Sequence, residues 1–242
     1  MTDRESPNLA MLRDVARRIE PILPRLAFLG GVATELFITA GSASPSRVTS
    51  DVDVVIDLVH YGQYAETLRE ELFALRLEED TREGAPRCRW RFLDAPRQII
   101  DIMPTKGEIL GFSMRWYADA FRTARPFQLP GGPVIRLVTP AYFVATKLAA
   151  FHDRGYRDPI ASHDLEDLIA VVDGRESLVA EIRAAPNEVR LFIASSWQRV
   201  LETGNAPAFV AAHLAPDDAS QARTTLVLTR IDAISRLGRD EP

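Results

Sequence analysis

The amino-acid sequence predicts an α+β fold: a mixed sheet flanked by helices, followed by an all-α C-terminal region. Short apolar and β-branched segments alternate with helical segments in the first part of the chain. The pair Gly30-Gly31 joins a strand-like segment directly to a helix-like one. After Pro140 the apolar residues recur with the period of amphipathic helices. We therefore expect two domains, residues 1–139 and residues 140–242.

In the first domain, apolar periodicity predicts an N-terminal helix over residues 8–22, with Asn8 as its N-cap. A short apolar strand, 26–29, precedes the glycines, and a helix, 32–39, follows them. Residues 52–58 are apolar and largely β-branched, as in a buried strand, and 61–77 has one apolar helical face. Alternating residues predict strands at 87–93 and 98–103, joined as a hairpin. A Pro-Gly-Gly-Pro turn suggests a second hairpin, 125–129 with 134–138.

In the second domain, Pro140 suits the first turn of a helix over residues 142–152. Further helices are expected at 162–172, 187–202, 207–213 and 217–237.

Composition excludes several classes of protein. The chain has 242 residues with 46% apolar content, enough for a sizeable core, and one cysteine, which excludes an internal disulfide framework. No apolar run approaches the roughly 20 residues of a membrane span, and the polar N-terminus does not resemble a secretory signal. We therefore expect a cytoplasmic protein. The net charge of −5 disfavours tight nonspecific binding to nucleic acid, although a local basic groove remains compatible with it.

The strongest local signal is the run Thr49-Ser50-Asp51-Val52-Asp53. Successive side chains of a strand point to opposite faces, so Asp51 and Asp53 should share one face while Val52 packs in the core. Two neighbouring carboxylates repel each other, and a bound cation relieves that repulsion. Mg²⁺ prefers such oxygen ligands and often links them to phosphates. A solvated turn or helix cap would explain the same residues without function.

Two further features favour a site. Gly30 and Gly31 would let a phosphate approach the backbone at a helix N-terminus, although a tight strand-to-helix turn also needs glycine. Asp101 lies in an otherwise apolar strand, where an acid is expected to be paired or metal-bound. If the strand that carries Asp101 lies beside the strand that carries Asp51 and Asp53, the three carboxylates come together at one end of the sheet. Such a set fits two-metal phosphoryl transfer.

These residues together resemble the DNA polymerase β-type nucleotidyltransferase superfamily. The run from Phe28 to Leu36 and the later run from Arg47 to Asp53 are similar to the AbiEii/AbiGii toxin-like branch. The resemblance implies that Asp51, Asp53 and Asp101 bind metal and act in catalysis. It implies that Lys147 contacts the triphosphate, and that Asp164 and Asp167 support the nucleotide site. His163 stands where that branch would have Arg or Lys before Asp164.

The resulting expectation is an enzyme that moves a nucleoside monophosphate from an NTP such as ATP to an acceptor hydroxyl. Mg²⁺, or Mn²⁺ in its place, would be the cofactor, and Gly30, Gly31, Thr49 and Ser50 would cradle the phosphates. The branch resemblance implies a toxin–antitoxin context, an RNA acceptor such as tRNA and a cognate antitoxin as candidate partner, with no membrane partner. Two alternatives stay open: transfer to a small molecule such as an antibiotic, and non-catalytic nucleotide binding.

One strand carries a further alternative. Arg87, Arg89 and Arg91 should line one face of it. A solvated sheet face is the simpler interpretation, and a basic face that meets nucleotide phosphates or RNA is the functional one.

Overall fold

The computed structural model describes residues 6–41, 43, 46–58, 60–111 and 114–238. Within these residues, seven strands form one mixed sheet, and the order of the strands in that sheet is β3-β4-β5-β2-β1-β7-β6. Helices flank the sheet and make up the C-terminal region, which confirms the predicted α+β fold. The strands are β1 (Leu26–Leu29), β2 (Asp51–Ile56), β3 (Leu77–Glu79), β4 (Arg89–Phe92), β5 (Ile99–Pro104), β6 (Arg125–Gln128) and β7 (Val134–Leu137).

Twelve α-helices lie within the described residues, together with a 3₁₀ turn (Glu20–Arg25) and two wide π-helical segments (Gln63–Leu68 and Phe151–Gly155). They are α1 (Pro7–Arg18), α2 (Gly30–Phe37), α3 (Arg69–Ala74), α4 (Gly107–Leu110), α5 (Tyr117–Thr123), α6 (Pro140–Ala150), α7 (His163–Gly174), α8 (Leu178–Arg183), α9 (Asn187–Glu202), α10 (Ala206–His213), α11 (Asp218–Gln221) and α12 (Thr224–Arg236).

Internal contacts divide the chain into two compact units. The sheet unit comprises Met1–Ala33 and Val48–Thr139, and the helical unit comprises Thr34–Arg47 and Pro140–Pro242. The segment Thr34–Arg47 therefore groups with the C-terminal helices although it precedes β2. Backbone N–H groups of Thr39 and Ala40 both donate to the carbonyl oxygen of Gly174, at 2.8 and 2.9 Å, which fixes this segment to the end of α7.

Four antiparallel and two parallel pairings set the order of the strands in the sheet unit. The hairpins β4–β5 and β6–β7 form as the sequence predicts. β2 pairs antiparallel with β1 and parallel with β5, so it lies near the centre of the sheet. Val52, Val54 and Ile56 of β2 are buried, as expected for its core face. This central position places the alternate residues of β2 beside those of β5.

The helical unit is built around α6, most of which is buried. The ring of Phe143 on this helix lies 4.6 Å from the ring of Phe37. Trp197 of α9 and Ile231 of α12 are also fully buried. Pro140 begins α6, in agreement with its predicted place in the first turn.

Several element boundaries differ from the sequence predictions. The first helix begins at Pro7 and is capped by Ser6, whose hydroxyl accepts a hydrogen bond from the backbone N–H of Asn8, so the prediction that Asn8 is the N-cap is wrong. Proline favours the first helical position, which sets the cap one residue before it. The predicted helix 61–77 ends at Ala74, and its last residue belongs to β3. The predicted helix 217–237 is two helices, α11 and α12.

No helix in the described part of the chain combines the length and the apolar character needed to cross a bilayer.

Asp80 fixes the chain between β3 and β4. Its side chain is 1% exposed and accepts hydrogen bonds from the Arg82 side chain, at 2.7 and 2.5 Å, and from the Arg82 backbone N–H at 3.2 Å. These bonds outweigh the cost of burial and lower the pKa of Asp80 to about 2. The backbone N–H of Asp80 also donates to the carbonyl of Arg89 at 3.0 Å, so this turn helps to position β4.

We expect Asp80→Asn to destabilise the protein at pH 7 by on the order of 2 kcal/mol. A carboxyl whose pKa is lower in the folded state stabilises that state above its unfolded pKa, and the contribution is lost as the pH falls through the folded pKa. The difference in unfolding free energy between wild type and variant should therefore shrink between pH 4 and pH 2. Urea unfolding of both proteins at a series of pH values measures this difference. A difference that stays constant from pH 4 to pH 2 would contradict a stabilising role for the ionised Asp80 carboxylate.

Candidate active site

The three predicted acids are side by side on one face of the sheet unit. In the parallel pair β2–β5, the register sets Asp53 opposite Asp101 and Asp51 opposite Ile99. Asp51 and Asp53 alternate with buried Val52, so both project from the face opposite the core. Asp101 is largely buried, with its side chain 9% exposed, and the Asp51 side chain is 25% exposed.

Gly30 lies directly against Asp53. Leu29, the last residue of β1, pairs with Asp53 in the antiparallel β1–β2 register, and Gly30 follows it as the first residue of α2. Gly30 has a φ of +76°, which side-chain-bearing residues rarely adopt, and a Cβ added to it would lie 1.9 Å from Oδ2 of Asp53. Only glycine therefore fits this position. Gly31 is the buried second residue of the same helix.

The chain that enters β2 is held by two hydrogen bonds from Thr49. The hydroxyl of Thr49 donates to Oδ1 of Asp51 at 2.9 Å, and its backbone N–H donates to Oδ1 of Asn8 at 3.1 Å. Asn8 is 1% exposed and comes from the first turn of α1. Ser50, between Thr49 and Asp51, is exposed. Thr49 and Asn8 thus fix the position of the first carboxylate.

A guanidinium bridges two of the three acids. Arg89 on β4 stands opposite Asp101 in the antiparallel β4–β5 register. Its Nε and Nη2 donate to the two oxygens of Asp101, at 2.9 and 2.8 Å, and Nη2 also donates to Oδ2 of Asp51 at 2.9 Å. The expectation of a solvated arginine face is therefore wrong for Arg89, because the register between strands places it beside these acids.

Burial and charge shift the ionisation of this cluster. Burial raises the pKa of the Asp101 carboxyl, and the hydrogen bonds and charge of Arg89 offset only part of that rise. The hydrogen bonds to Asp101 raise the pKa of the Arg89 guanidinium, so it stays charged. Cys88 is buried, and burial followed by the charges of Asp101 and Asp53 raises its pKa to about 12. Cys88 is thus a protonated thiol at neutral pH.

The donor chemistry of the three acids suits a hard divalent cation such as Mg²⁺. All three offer carboxylate oxygens from adjacent strand positions of one sheet face. Two of them already converge on a single positive charge, the Arg89 guanidinium. Among the residues that the structure describes, no three carboxylate, histidine or cysteine side chains are arranged around one point as metal ligands. Residue type and strand register suit the ion, but the three carboxylates do not surround a common point in this structure, where the Arg89 guanidinium pairs with two of them.

The other predicted nucleotide-binding residues, Lys147 and Asp164, lie in the helical unit and bind each other. Nζ of Lys147 on α6 donates to Asp164 at 3.1 Å and to Asp167 at 2.6 Å. Arg154 also donates to Asp164, at 2.8 Å, and Arg47 donates to Asp167 at 3.1 Å. Burial opposes ionisation of Asp164, but the Lys147 charge and the Arg154 hydrogen bond outweigh it and lower its pKa. These ion pairs join α6 and α7 and therefore stabilise the helical unit.

We expect Lys147→Met to destabilise the protein by about 3 kcal/mol, because two buried carboxylates lose the cation that they share. Arg47 and Arg154 still bind one carboxylate each, which limits the effect. Lys147→Arg should retain more of the stability, and exposed Lys106→Met should change it by less than about 0.5 kcal/mol. Urea unfolding of the three variants measures this. A Lys147→Met protein as stable as the Lys106→Met protein would contradict the assigned role.

Two contacts of the site are not visible in the sequence. Asn8 is more than 40 positions from Thr49, and its type suggests only a helix cap. Arginines occupy positions 87, 89 and 91 of the sequence, and the β4–β5 register places Arg89 opposite Asp101. The alternation of these arginines indicates a shared face and gives no information about which residue meets the acids.

No protein-family model matches the chain, and no curated protein sequence matches it. Among solved structures, the chain is similar to an antigenic nucleotidyltransferase-like protein from Paracoccidioides brasiliensis. The two are 21% identical, the match covers 86% of this chain and 94% of the other, and the TM-score is 0.50. At this identity the likeness concerns the fold, and it agrees with the α+β sheet and the C-terminal helices described above. The chain therefore has a nucleotidyltransferase-like fold.

Proposed function

We propose that this protein is a metal-dependent nucleotidyltransferase that moves a nucleoside monophosphate from an NTP to an acceptor hydroxyl, with release of pyrophosphate. The observation that carries the proposal is the register of β2 and β5, which sets Asp53 beside Asp101, with Asp51 on the same face. Gly30, the first residue of α2, lies against Asp53, so the helix N-terminus that would favour a phosphate stands beside the acids. The nucleotidyltransferase-like fold supports this reaction class.

Asp101 has a different environment from the other two acids, which suggests a different role. Asp51 and Asp53 are partly exposed and would hold Mg²⁺, or Mn²⁺ in its place. The bound ion would neutralise charge on the triphosphate. Asp101 is more buried than the other two acids and lies beside Asp53 on the neighbouring strand. We assign to its carboxylate both a share in metal binding and the removal of the proton from the acceptor hydroxyl.

The phosphates would bind beside these acids at the start of α2. Gly30 and Gly31 begin that helix, and the helix dipole favours anions at this end. Ser50 is exposed next to Asp51 and can offer its hydroxyl. Thr49 already donates to Asp51, so its role is to hold that carboxylate. The predicted contact of Lys147 with the triphosphate stays a prediction, since its ammonium binds Asp164 and Asp167.

The acceptor has two candidate classes. The resemblance to the toxin-like branch favours RNA, such as tRNA, and with it a cognate antitoxin. The net charge of −5 favours a cationic small molecule, because an acidic protein repels a polyanion.

The test is incubation with each α-labelled NTP, Mg²⁺ and total cellular RNA, in parallel with the Asp51→Asn/Asp53→Asn double variant. Label on an RNA band with wild type alone would support RNA transfer. Label on a cationic small molecule such as an aminoglycoside, in a second set of reactions, would support the alternative. Mg²⁺-dependent NTP binding without a labelled product in either set would contradict transfer and leave a nucleotide-binding protein.

A further inference from the structure

The Arg89 guanidinium uses the oxygens that a metal ion would need. It occupies both oxygens of Asp101 and Oδ2 of Asp51, at 2.8–2.9 Å, while Oδ1 of Asp51 accepts from the Thr49 hydroxyl. Every carboxylate oxygen of these two acids therefore has a donor from the chain itself. The Arg89 side chain is only 22% exposed, so these ion pairs are shielded from much of the solvent screening that weakens surface pairs.

From this geometry we propose that Arg89 is a built-in counter-ion that competes with the divalent cation for Asp51 and Asp101. The proposal rests on the proposed function, because that function supplies the metal. Two positive groups cannot share the same carboxylate oxygens at hydrogen-bond and ligand distances without strong repulsion. Metal binding at these oxygens therefore requires Arg89 to release at least one of the two carboxylates.

The released guanidinium has a suitable new partner in the substrate. Arginine binds phosphate through two parallel hydrogen bonds, as it now binds Asp101. An NTP beside the acids would thus replace the carboxylates as the partner of Arg89. It follows that metal and nucleotide assist each other: the wild-type protein binds metal weakly alone and more tightly when nucleotide phosphates engage Arg89.

Arg91 provides a matched control on the same strand face. It is two residues from Arg89 on β4, and its side chain is 19% exposed, compared with 22% for Arg89. Arg91 donates to Glu78 at 2.8 Å and does not contact the three acids in any described hydrogen bond. Removing its charge thus tests the general effect of losing an arginine from this face.

The experiment is a Mn²⁺ titration without nucleotide, followed by the electron paramagnetic resonance signal of free Mn²⁺. The proteins are wild type, Arg89→Met, Arg89→Lys and Arg91→Met. We expect Arg89→Met to bind Mn²⁺ about tenfold more tightly than wild type, because the competing hydrogen bonds to charged oxygens are gone. The Mn²⁺ affinity of Arg89→Lys should lie between those of wild type and Arg89→Met. The affinity of Arg91→Met should stay within about twofold of wild type.

Thermal unfolding gives a second readout that does not depend on turnover. Without metal, Arg89→Met leaves neighbouring carboxylates without their counter-ion, so its midpoint should fall below that of wild type. Added Mn²⁺ should raise the midpoint of Arg89→Met more than that of wild type, since a ligand stabilises the state that it binds. This measurement also covers the case in which Arg89→Met folds only when metal is present.

The outcomes separate the two proposals. Equal or weaker Mn²⁺ binding by Arg89→Met, with clear binding by wild type, overturns the competition and leaves the proposed function standing. No Mn²⁺ binding by any of the four proteins removes the metal site and overturns both. Tighter binding by Arg89→Met alone supports the competition even if no acceptor is ever labelled.

Discussion

Replacing Asp53 by asparagine is expected to lower nucleotidyl transfer by about a thousandfold or more, equivalent to about 4 kcal/mol of transition-state stabilisation. Asparagine keeps the shape of the side chain and removes the charge that would bind the cation. Asp53 stands between Asp51 on its own strand and Asp101 on β5, so the loss falls at the centre of the acidic cluster. The measurement is the rate of NMP transfer to the acceptor identified by labelling, at saturating NTP.

Asp57 provides the control for this change. It directly follows the other end of β2, is exposed, and accepts a hydrogen bond from the Thr105 hydroxyl at 2.7 Å, which the oxygen of an asparagine can also accept. Asp57→Asn should therefore transfer at the wild-type rate. Both variants should unfold cooperatively, which shows that activity and not folding has changed. An Asp53→Asn protein with wild-type activity would remove Asp53 from the mechanism.

Gly30→Ala is expected to lower both stability and transfer. The backbone of Gly30 is in the left-handed region, where a Cβ costs about 1 to 2 kcal/mol. The same Cβ would also lie 1.9 Å from Oδ2 of Asp53, so this carboxylate or the glycine turn has to move. A displacement of about 1 Å at a reacting centre can lower the rate about a hundredfold, and we expect at least that loss.

Gly84→Ala separates the two effects. Gly84 has a φ of +80°, similar to that of Gly30, and an added Cβ there meets nothing within 4 Å. It should therefore show only the cost of backbone strain, with transfer at the wild-type rate. We expect Gly30→Ala to unfold at lower urea concentration than Gly84→Ala. Equal stability and equal activity of the two variants would show that the contact with Asp53 has no consequence.

The sequence predicts elements best where the pattern is long or strongly alternating. The helix Asn187–Glu202 and the two hairpins follow the apolar periodicity and the turn residues. β3 has only three residues, too few for a period to be visible. Ala222 and Arg223 separate α11 from α12, and the Arg223 side chain donates a hydrogen bond to Asp173 at 2.7 Å. A contact over 50 positions of sequence has no counterpart in a local pattern.

The sequence by itself predicted which residues would carry the proposed chemistry, and it determined which face of the strand they share. Alternation along β2 puts Asp51 and Asp53 on one side of the strand, because the side-chain period of a strand is two. The glycines that begin α2 were likewise evident, since few residues permit such a tight strand-to-helix turn. Both results depend only on neighbours along the chain.

Only the tertiary structure decided which charges these acids meet. Strand register is a non-local property, and a shift of one residue would exchange the faces of β4, so alternation alone could not place Arg89 between Asp51 and Asp101. In the same way, Lys147 meets Asp164 and Asp167 because α6 packs against α7. The sequence shows where each charged side chain stands along the chain. The partner of that side chain depends on how distant segments pack.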